Sequence, residues 1–182
     1  QDAAVLVRQS LADQLADSGT VPHDVALTLA KDLDEVSLPM LQKSTILTDE
    51  DLVEIVRASS SNKQIAIAQR EHVNESVAAA LVETKNEDVV AELVANDGAA
   101  LSEDSLNKVI DSFGHSERIQ RPMVDRKTLP VGVAERLVAV LSDNLREQLV
   151  SRHELSPESA ADLVIQSRER AILGLSKGSD IR

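Results

Sequence analysis

The sequence LSDNLREQLVSRHELSPESAADLVIQ, residues 141–166, decides the fold. Its first half places Leu145, Leu149 and Val150 on one side of a predicted helix, because residues three to five apart share a helix face. A Ser-Pro pair at Ser156 then begins a second predicted helix, which carries an apolar stripe of its own. The stretch therefore predicts a pair of short amphipathic helices joined by a short polar segment.

The second helix of this pair recurs along the chain. Each copy has an aliphatic residue, here called the anchor, directly before a helix-start signal, and successive anchors are 26, 26, 28, 28 and 26 residues apart. Five, eight and nine residues after every anchor the side chain is again aliphatic, which is typical of one buried helix stripe. The six anchors are Val21, Leu47, Val73, Leu101, Leu129 and Leu155.

One short helix pair cannot bury both of its apolar stripes, so neighbouring pairs must stack on each other. Aromatic residues make up only 1% of the chain, and a core of Ala, Val, Leu and Ile suits helices that approach closely. The sequence therefore predicts an all-α fold, a right-handed α-solenoid of about six helix pairs in a single repeat domain over residues 1–182. The predicted repeat units are 1–35, 36–62, 63–87, 88–116, 117–142 and 143–175.

Three runs carry a resemblance to a known architecture: SLPMLQKSTILTDEDLVEIV (37–56), QIAIAQREHVNESVAAALVE (64–83) and NDGAALSEDSLNKVI (96–110). They resemble HEAT or armadillo-type α-helical repeats, although the units are shorter than the usual helix pair. Nearly the whole chain is similar to a bacterial family of HEAT-like proteins known only as a domain of unknown function. That resemblance implies a helical-repeat fold and no established activity, cofactor or catalytic residue. It also implies a longer natural protein, since members of the family commonly continue past the position of residue 182.

The charge of the chain excludes several classes of partner. Nineteen basic residues against 31 acidic ones give a net charge of −12, and such a field repels nucleic acid phosphates and anionic membrane surfaces. No apolar run approaches the roughly 20 residues that cross a bilayer. The chain has no cysteine, which excludes disulfides and thiolate metal sites and permits a reducing compartment. We expect a cytoplasmic protein that binds neither nucleic acid nor membrane.

Catalytic and metal-binding patterns are missing from the sequence. The histidines at 23, 72, 115 and 153 follow no metal-ligand spacing, and neither a phosphate-binding glycine loop nor a GxSxG elbow occurs. The sequence predicts no enzyme and no cofactor. An alternative stays open, in which the protein is a hydrolase or lyase whose pocket has no sequence signature.

The polar side of the second helices is the first candidate site. It is formed by positions three, seven and ten after each anchor and is called the second-helix face below. In extended repeats this side often forms the wall that binds partners, and plain solvation is the alternative interpretation. The candidate residues are Asp24, Lys31, Glu54, Arg57, Glu83, Lys108, Asp111, Arg136 and Asp162.

A second candidate is a recurrent base at the end of four first helices, called the basic ladder below. A cation there meets the negative end of a helix dipole and can pair with a carboxylate of the neighbouring copy. The alternative is a basic row that captures an acidic partner. The four residues are Lys43, Arg70, Arg126 and Arg152.

The predicted function is a protein-interaction scaffold that holds a protein or peptide on the second-helix face. A basic or amphipathic helical ligand suits the acidic field of the chain. The alternative is a regulatory or sensory module of a longer bacterial protein, which an uncovered apolar patch near Ala139 and Ile165 would favour. The sequence gives no indication of the oligomeric state.

Overall fold

The structure, a computed structural model of the chain, describes residues 3–153 and residue 165. Within these residues it contains eleven α-helices and no strand, which confirms the predicted all-α class. The chain divides into two compact units, Gln1–Val109 and Ile110–Arg182. The helices are α1 (Ala3–Leu15), α2 (His23–Ala30), α3 (Asp34–Lys43), α4 (Asp49–Ala58), α5 (Ser61–Ala68), α6 (Glu75–Glu83), α7 (Glu87–Ala95), α8 (Glu103–Phe113), α9 (Glu117–Asp125), α10 (Val131–Val138) and α11 (Asp143–Arg152).

The second helices begin directly after the anchors, as predicted. Helices α2, α4, α6, α8 and α10 each begin two residues after their anchor, and the N-cap residues of α2, α4, α6 and α10 directly follow it. At α4 the cap is a capping box: the Asp51 N–H donates to Thr48 Oγ1 at 3.2 Å, and the Thr48 N–H donates to Asp51 Oδ2 at 2.8 Å. The sixth second helix, predicted from Pro157, lies outside the described residues.

The predicted apolar stripe is buried in all five second helices that the structure describes. The residues eight positions after the anchors are at most 5% exposed, and those five and nine positions after are at most 7% exposed. Burying one such aliphatic side chain stabilises the fold by roughly 1.5–3 kcal/mol. Leu163 lies outside the described residues. The other residues eight positions after an anchor are Leu29, Ile55, Leu81, Val109 and Leu137.

In the first unit, helices pack mainly on the equivalent helix of the next pair. The first helices α1, α3, α5 and α7 pack on one another in that order, and the second helix α4 packs on α6. Each of α2, α4 and α6 also packs on the first helix that follows it. In the second unit, α11 packs on α9 and α10.

Some first helices begin two residues before their first apolar residue. Helix α3 starts at Asp34, ahead of Val36, and α9 starts at Glu117, ahead of Ile119. The opening turns of both helices contain polar residues, so the apolar pattern does not mark them.

A short parallel bridge joins the loops before α6 and α8 in the first unit. The Val73 N–H donates to Gly98 O at 3.1 Å, and the Ala100 N–H donates to Val73 O at 2.8 Å. Gly98 lies so close to the other loop that a Cβ atom there would be 1.9 Å from Glu71 O. The bridge therefore requires glycine at this position.

Candidate functional site

On the second-helix face, ion pairs connect one helix pair to the next in a fixed register. Lys31, ten residues after its anchor, places Nζ 2.7 Å from Oε1 of Glu54, which lies seven residues after the following anchor. Both side chains are exposed, at 44% and 68%. In the second unit Asp111 and Arg136 hold the same two positions, and their side chains meet at 2.5 Å.

Glu83 and Lys108 occupy the same register positions in the first unit. The pKa of Lys108 is raised, first by a hydrogen bond to the Asp104 carboxylate at 2.8 Å and by its charge, and further by the negative charge of Glu83. The second-helix face therefore carries charges that are complementary between successive pairs.

One position breaks this register. Arg57 lies ten residues after its anchor, but the residue seven positions after the next anchor is Ala80, which has no charge. Ala80 is 5% exposed, whereas Arg57 is exposed to solvent. Among the residues that the structure describes, Arg57 has no ion-pair partner.

Two neighbouring grooves lie along this face in the first unit. The Lys31 groove, lined by Lys31 and Glu54 among others, has a volume of about 420 Å³. The Arg57 groove, of about 520 Å³, lies between the ends of α4 and α6 and is lined by Arg57, Ala80 and Glu83. Its remaining lining is mostly polar and includes Ser59, Ser60, Ser61, Gln64, Thr84 and Asn86.

Hydrogen bonds fix the walls of the Arg57 groove. Gln64 donates through Nε2 to Val56 O at 2.9 Å and to Ser59 O at 3.2 Å, which closes the end of α4. Asn86 donates through Nδ2 to Ser61 Oγ at 2.8 Å. The amide groups of Gln64 and Asn86 are therefore already bonded to other protein groups. Arg57 is the basic residue among those that line the groove, and it is available to a ligand.

Exposed carboxylates line the opposite end of the second helices in the first unit. Each lies in the first turn of its helix, where the positive end of the helix dipole favours an acid. The residues are Asp24, Glu50, Glu75 and Glu103, and they are called the acidic row below. Of the predicted candidates on this face, Asp24 belongs to the row and Asp162 lies outside the described residues.

The basic ladder reaches back to the preceding first helix. Arg70 donates to Leu41 O at 2.5 Å and to Ser44 O at 2.6 Å, both at the end of α3. Burial lowers the pKa of Arg70, while the charge of Asp49 opposes that shift. Lys43 Nζ lies 3.4 Å from Asp17 Oδ2.

In the second unit, Arg152 donates to the Asp125 carbonyl and to its carboxylate, each at 2.9 Å. Arg126 is 8% exposed. Arg70 and Arg152 thus both donate to backbone carbonyl groups at the end of the preceding first helix.

Several side-chain amides also donate to carbonyl groups at helix ends, and the sequence analysis did not predict them. Asn96 donates through Nδ2 to Ala68 O at 2.8 Å and to Arg70 O at 2.7 Å, which caps the end of α5. Gln120 donates to Gly114 O at 2.7 Å at the end of α8. The signal for them in the sequence is a polar residue that recurs near the start or the end of first helices, as Gln64, Asn96 and Gln120 do.

The histidines are dispersed over the described residues. His23 Nε2 lies 2.7 Å from Asp51 Oδ2, and His153 Nε2 lies 3.4 Å from Val124 O. His72 is exposed, with Glu71 at 3.8 Å. Within residues 3–153 and 165, no three His, Asp or Glu side chains gather as they would around a metal ion. In the same residues, no helix has the length and apolar content needed to cross a membrane.

The sequence was compared with known proteins. Residues 36–181 match a family described as "Uncharacterised protein conserved in bacteria (DUF2336)". No curated protein and no solved structure matches the chain. The match confirms the predicted resemblance to a bacterial family without known function, and the HEAT-like character of the repeats stays a prediction.

Proposed function

The chain belongs to this family of uncharacterised bacterial proteins, and we propose that it is a protein-interaction scaffold. In this proposal the chain forms a right-handed, HEAT-like α-solenoid of about six helix pairs. A protein or peptide binds on the second-helix face. The proposal includes no catalytic step and no cofactor, and it places the protein in the cytoplasm, which a chain without cysteine permits.

The spacing of the polar contacts supports the solenoid. Side-chain bonds between helix pairs in the first unit span roughly one repeat: 23 residues for Lys31 and Glu54, 28 for Asn62 and Asp34, and 25 for Asn86 and Ser61. A stack in which each pair contacts only its neighbours has this pattern. A compact bundle around a common axis would add many contacts between helices distant in sequence.

The observation that carries the binding proposal is the exposed, charged second-helix face with its two grooves, together with the acidic row in the first turns of the same helices. Carboxylates spread over successive repeats match a basic or amphipathic helix laid across them, and charge complementarity also favours fast association.

Exposed apolar residues in the second unit favour a second candidate function. Val131 is 63% exposed and Ile165 is 54% exposed, and Ala139 is also exposed. Such side chains suit contact with another segment of a longer protein. In this alternative the chain is a regulatory or sensory module, and its partner is covalently attached.

The scaffold is tested by affinity capture from bacterial extract at low and high salt, with wild type and two matched variants. Glu50→Lys reverses a charge in the acidic row, and Glu35→Lys makes the same change on the first helix α3. Both residues are exposed second residues of ten-residue helices. We expect a salt-sensitive protein that Glu50→Lys loses and Glu35→Lys retains. Equal capture by both variants, or no specific protein, would refute the proposal.

A further inference from the structure

The Lys31 and Arg57 grooves lie at equivalent places in successive helix pairs, and they differ at the position that faces the cation. Across the Lys31 groove, the cation meets the carboxylate of Glu54 at 2.7 Å. Across the Arg57 groove, the corresponding position is Ala80, and the groove is larger, at about 520 Å³ against about 420 Å³. The second groove therefore holds the cation of the register without its carboxylate.

From this difference we infer that the Arg57 groove binds an aspartate or glutamate side chain of the partner protein. Arg57 donates to the carboxylate of the partner, which takes the place that Glu54 has beside Lys31. A guanidinium suits this role because its planar fork of N–H groups matches a carboxylate with two parallel hydrogen bonds. This inference rests on the scaffold function proposed above and names one anchoring contact within it.

Glu83, which also lines the groove, restricts the ligand further. Its negative charge lies on the α6 side, so a small multivalent anion such as phosphate is repelled there while Arg57 attracts it. A peptide segment with an acidic side chain near a basic one satisfies both groups. An amphipathic helix with Glu and Lys one turn apart is such a segment, since residues four apart lie on one face.

The test uses the Arg57 side-chain Nε–Hε signal in nuclear magnetic resonance, assigned with Arg57→Gln. The probe is the peptide acetyl-(EAAAK)3-amide, and the control is acetyl-(QAAAK)3-amide, in which every carboxylate becomes an amide. We expect a saturable shift of the Arg57 signal with the first peptide and a much smaller one with the second. The second peptide carries the larger net positive charge and is therefore attracted more strongly by the acidic chain. A larger shift with the first peptide can thus not result from overall charge attraction.

Two variants complete the test. Ala80→Glu supplies the missing carboxylate within the chain and is expected to abolish the response of Arg57. Because Ala80 is 5% exposed, this variant is first checked for unchanged helix content. Arg57→Gln, on the exposed surface, is expected to weaken binding of the EAAAK peptide about tenfold, the loss of one charge-assisted contact.

Three results would overturn the inference: no Arg57 shift up to about 10 mM peptide, an equal or larger shift with the QAAAK peptide, or an equal shift with inorganic phosphate. These results leave the scaffold proposal standing if extract capture still depends on Glu50. Conversely, a carboxylate-specific Arg57 response without any captured protein would refute the scaffold and retain the groove.

Discussion

Substituting Gly98 by alanine should loosen the bridge between the loops before α6 and α8. The new Cβ atom would lie 1.9 Å from Glu71 O, and real Cβ contacts essentially never fall below 3.0 Å, so the loops must separate by at least about 1.1 Å. A movement of that size stretches the bonds from the Val73 N–H to Gly98 O, 3.1 Å, and from the Ala100 N–H to Val73 O, 2.8 Å, beyond hydrogen-bonding distance.

The expected loss of stability follows from these contacts. Each broken hydrogen bond costs about 1 kcal/mol, and leaving its buried groups without partners raises the total to about 2–4 kcal/mol. Val73 and Ala99 are buried, at 2% and 3% exposure, so water does not readily replace the lost partners. For a chain of this size, that loss lowers Tm by about 4–16 °C.

Urea and thermal unfolding followed by circular dichroism at 222 nm measure the effect. Gly19→Ala is the matched control, because nothing lies within 4 Å of a Cβ atom at Gly19. Neither glycine has a positive φ, so added backbone strain does not distinguish the two variants. The control is expected to stay within about 0.5 kcal/mol of wild type. If Gly98→Ala were equally silent, the close approach of the two loops would be wrong.

Three further predictions concern the polar contacts. Arg70→Met leaves Leu41 O and Ser44 O without their donor and should lower the free energy of unfolding by about 1–3 kcal/mol in urea titrations. Lys43→Met, the control, removes an exposed ion pair and should lower it by at most about 0.5 kcal/mol. Equal losses in the two variants would contradict the difference in burial between Arg70 and Lys43. Burial by itself raises the pKa of Asp51, but hydrogen bonds from His23 and Thr48 hold that pKa below its ordinary 3.8, so Asp51 contributes stability above about pH 4 that is lost as pH falls through the lowered value. Asp51→Asn should therefore flatten the acid limb of the stability–pH curve, and an unchanged limb would refute this. Asn96→Ala should destabilise the fold by about 1–3 kcal/mol, because it leaves Ala68 O and Arg70 O uncapped, and a loss below about 0.3 kcal/mol would show that the cap is replaceable by water.

The second helices could be predicted from the sequence because burial of apolar side chains fixes their phase. Aliphatic residues at constant offsets from an anchor such as Leu47 can share a buried face only if the segment is helical. The cap that follows the anchor, Thr48 for example, then marks the first turn. Both signals are local, so one sequence is sufficient to find them.

The capping amides could not be predicted in the same way. Asn96 reaches a carbonyl group only because its helix packs beside a helix end more than 20 residues earlier in the chain. Gln64 reaches one only because the loop before α5 folds back on the end of α4. The available cation at Arg57 has a similar origin. The sequence alone does not show which residue faces Arg57. The structure shows it, because Lys31 and Glu54 define which positions of successive helix pairs face each other.

The capping contacts between first helices run in one direction along the chain. In the first unit, Arg70 and Asn96 each close the end of the preceding first helix, so every donor lies later in the sequence than the carbonyls it serves. Shortening the chain from its carboxyl side would remove the donors that cap the newly terminal first helix, whereas shortening it from the amino side would leave these caps in place. A fragment that keeps its later repeats therefore keeps the caps on the ends of its first helices.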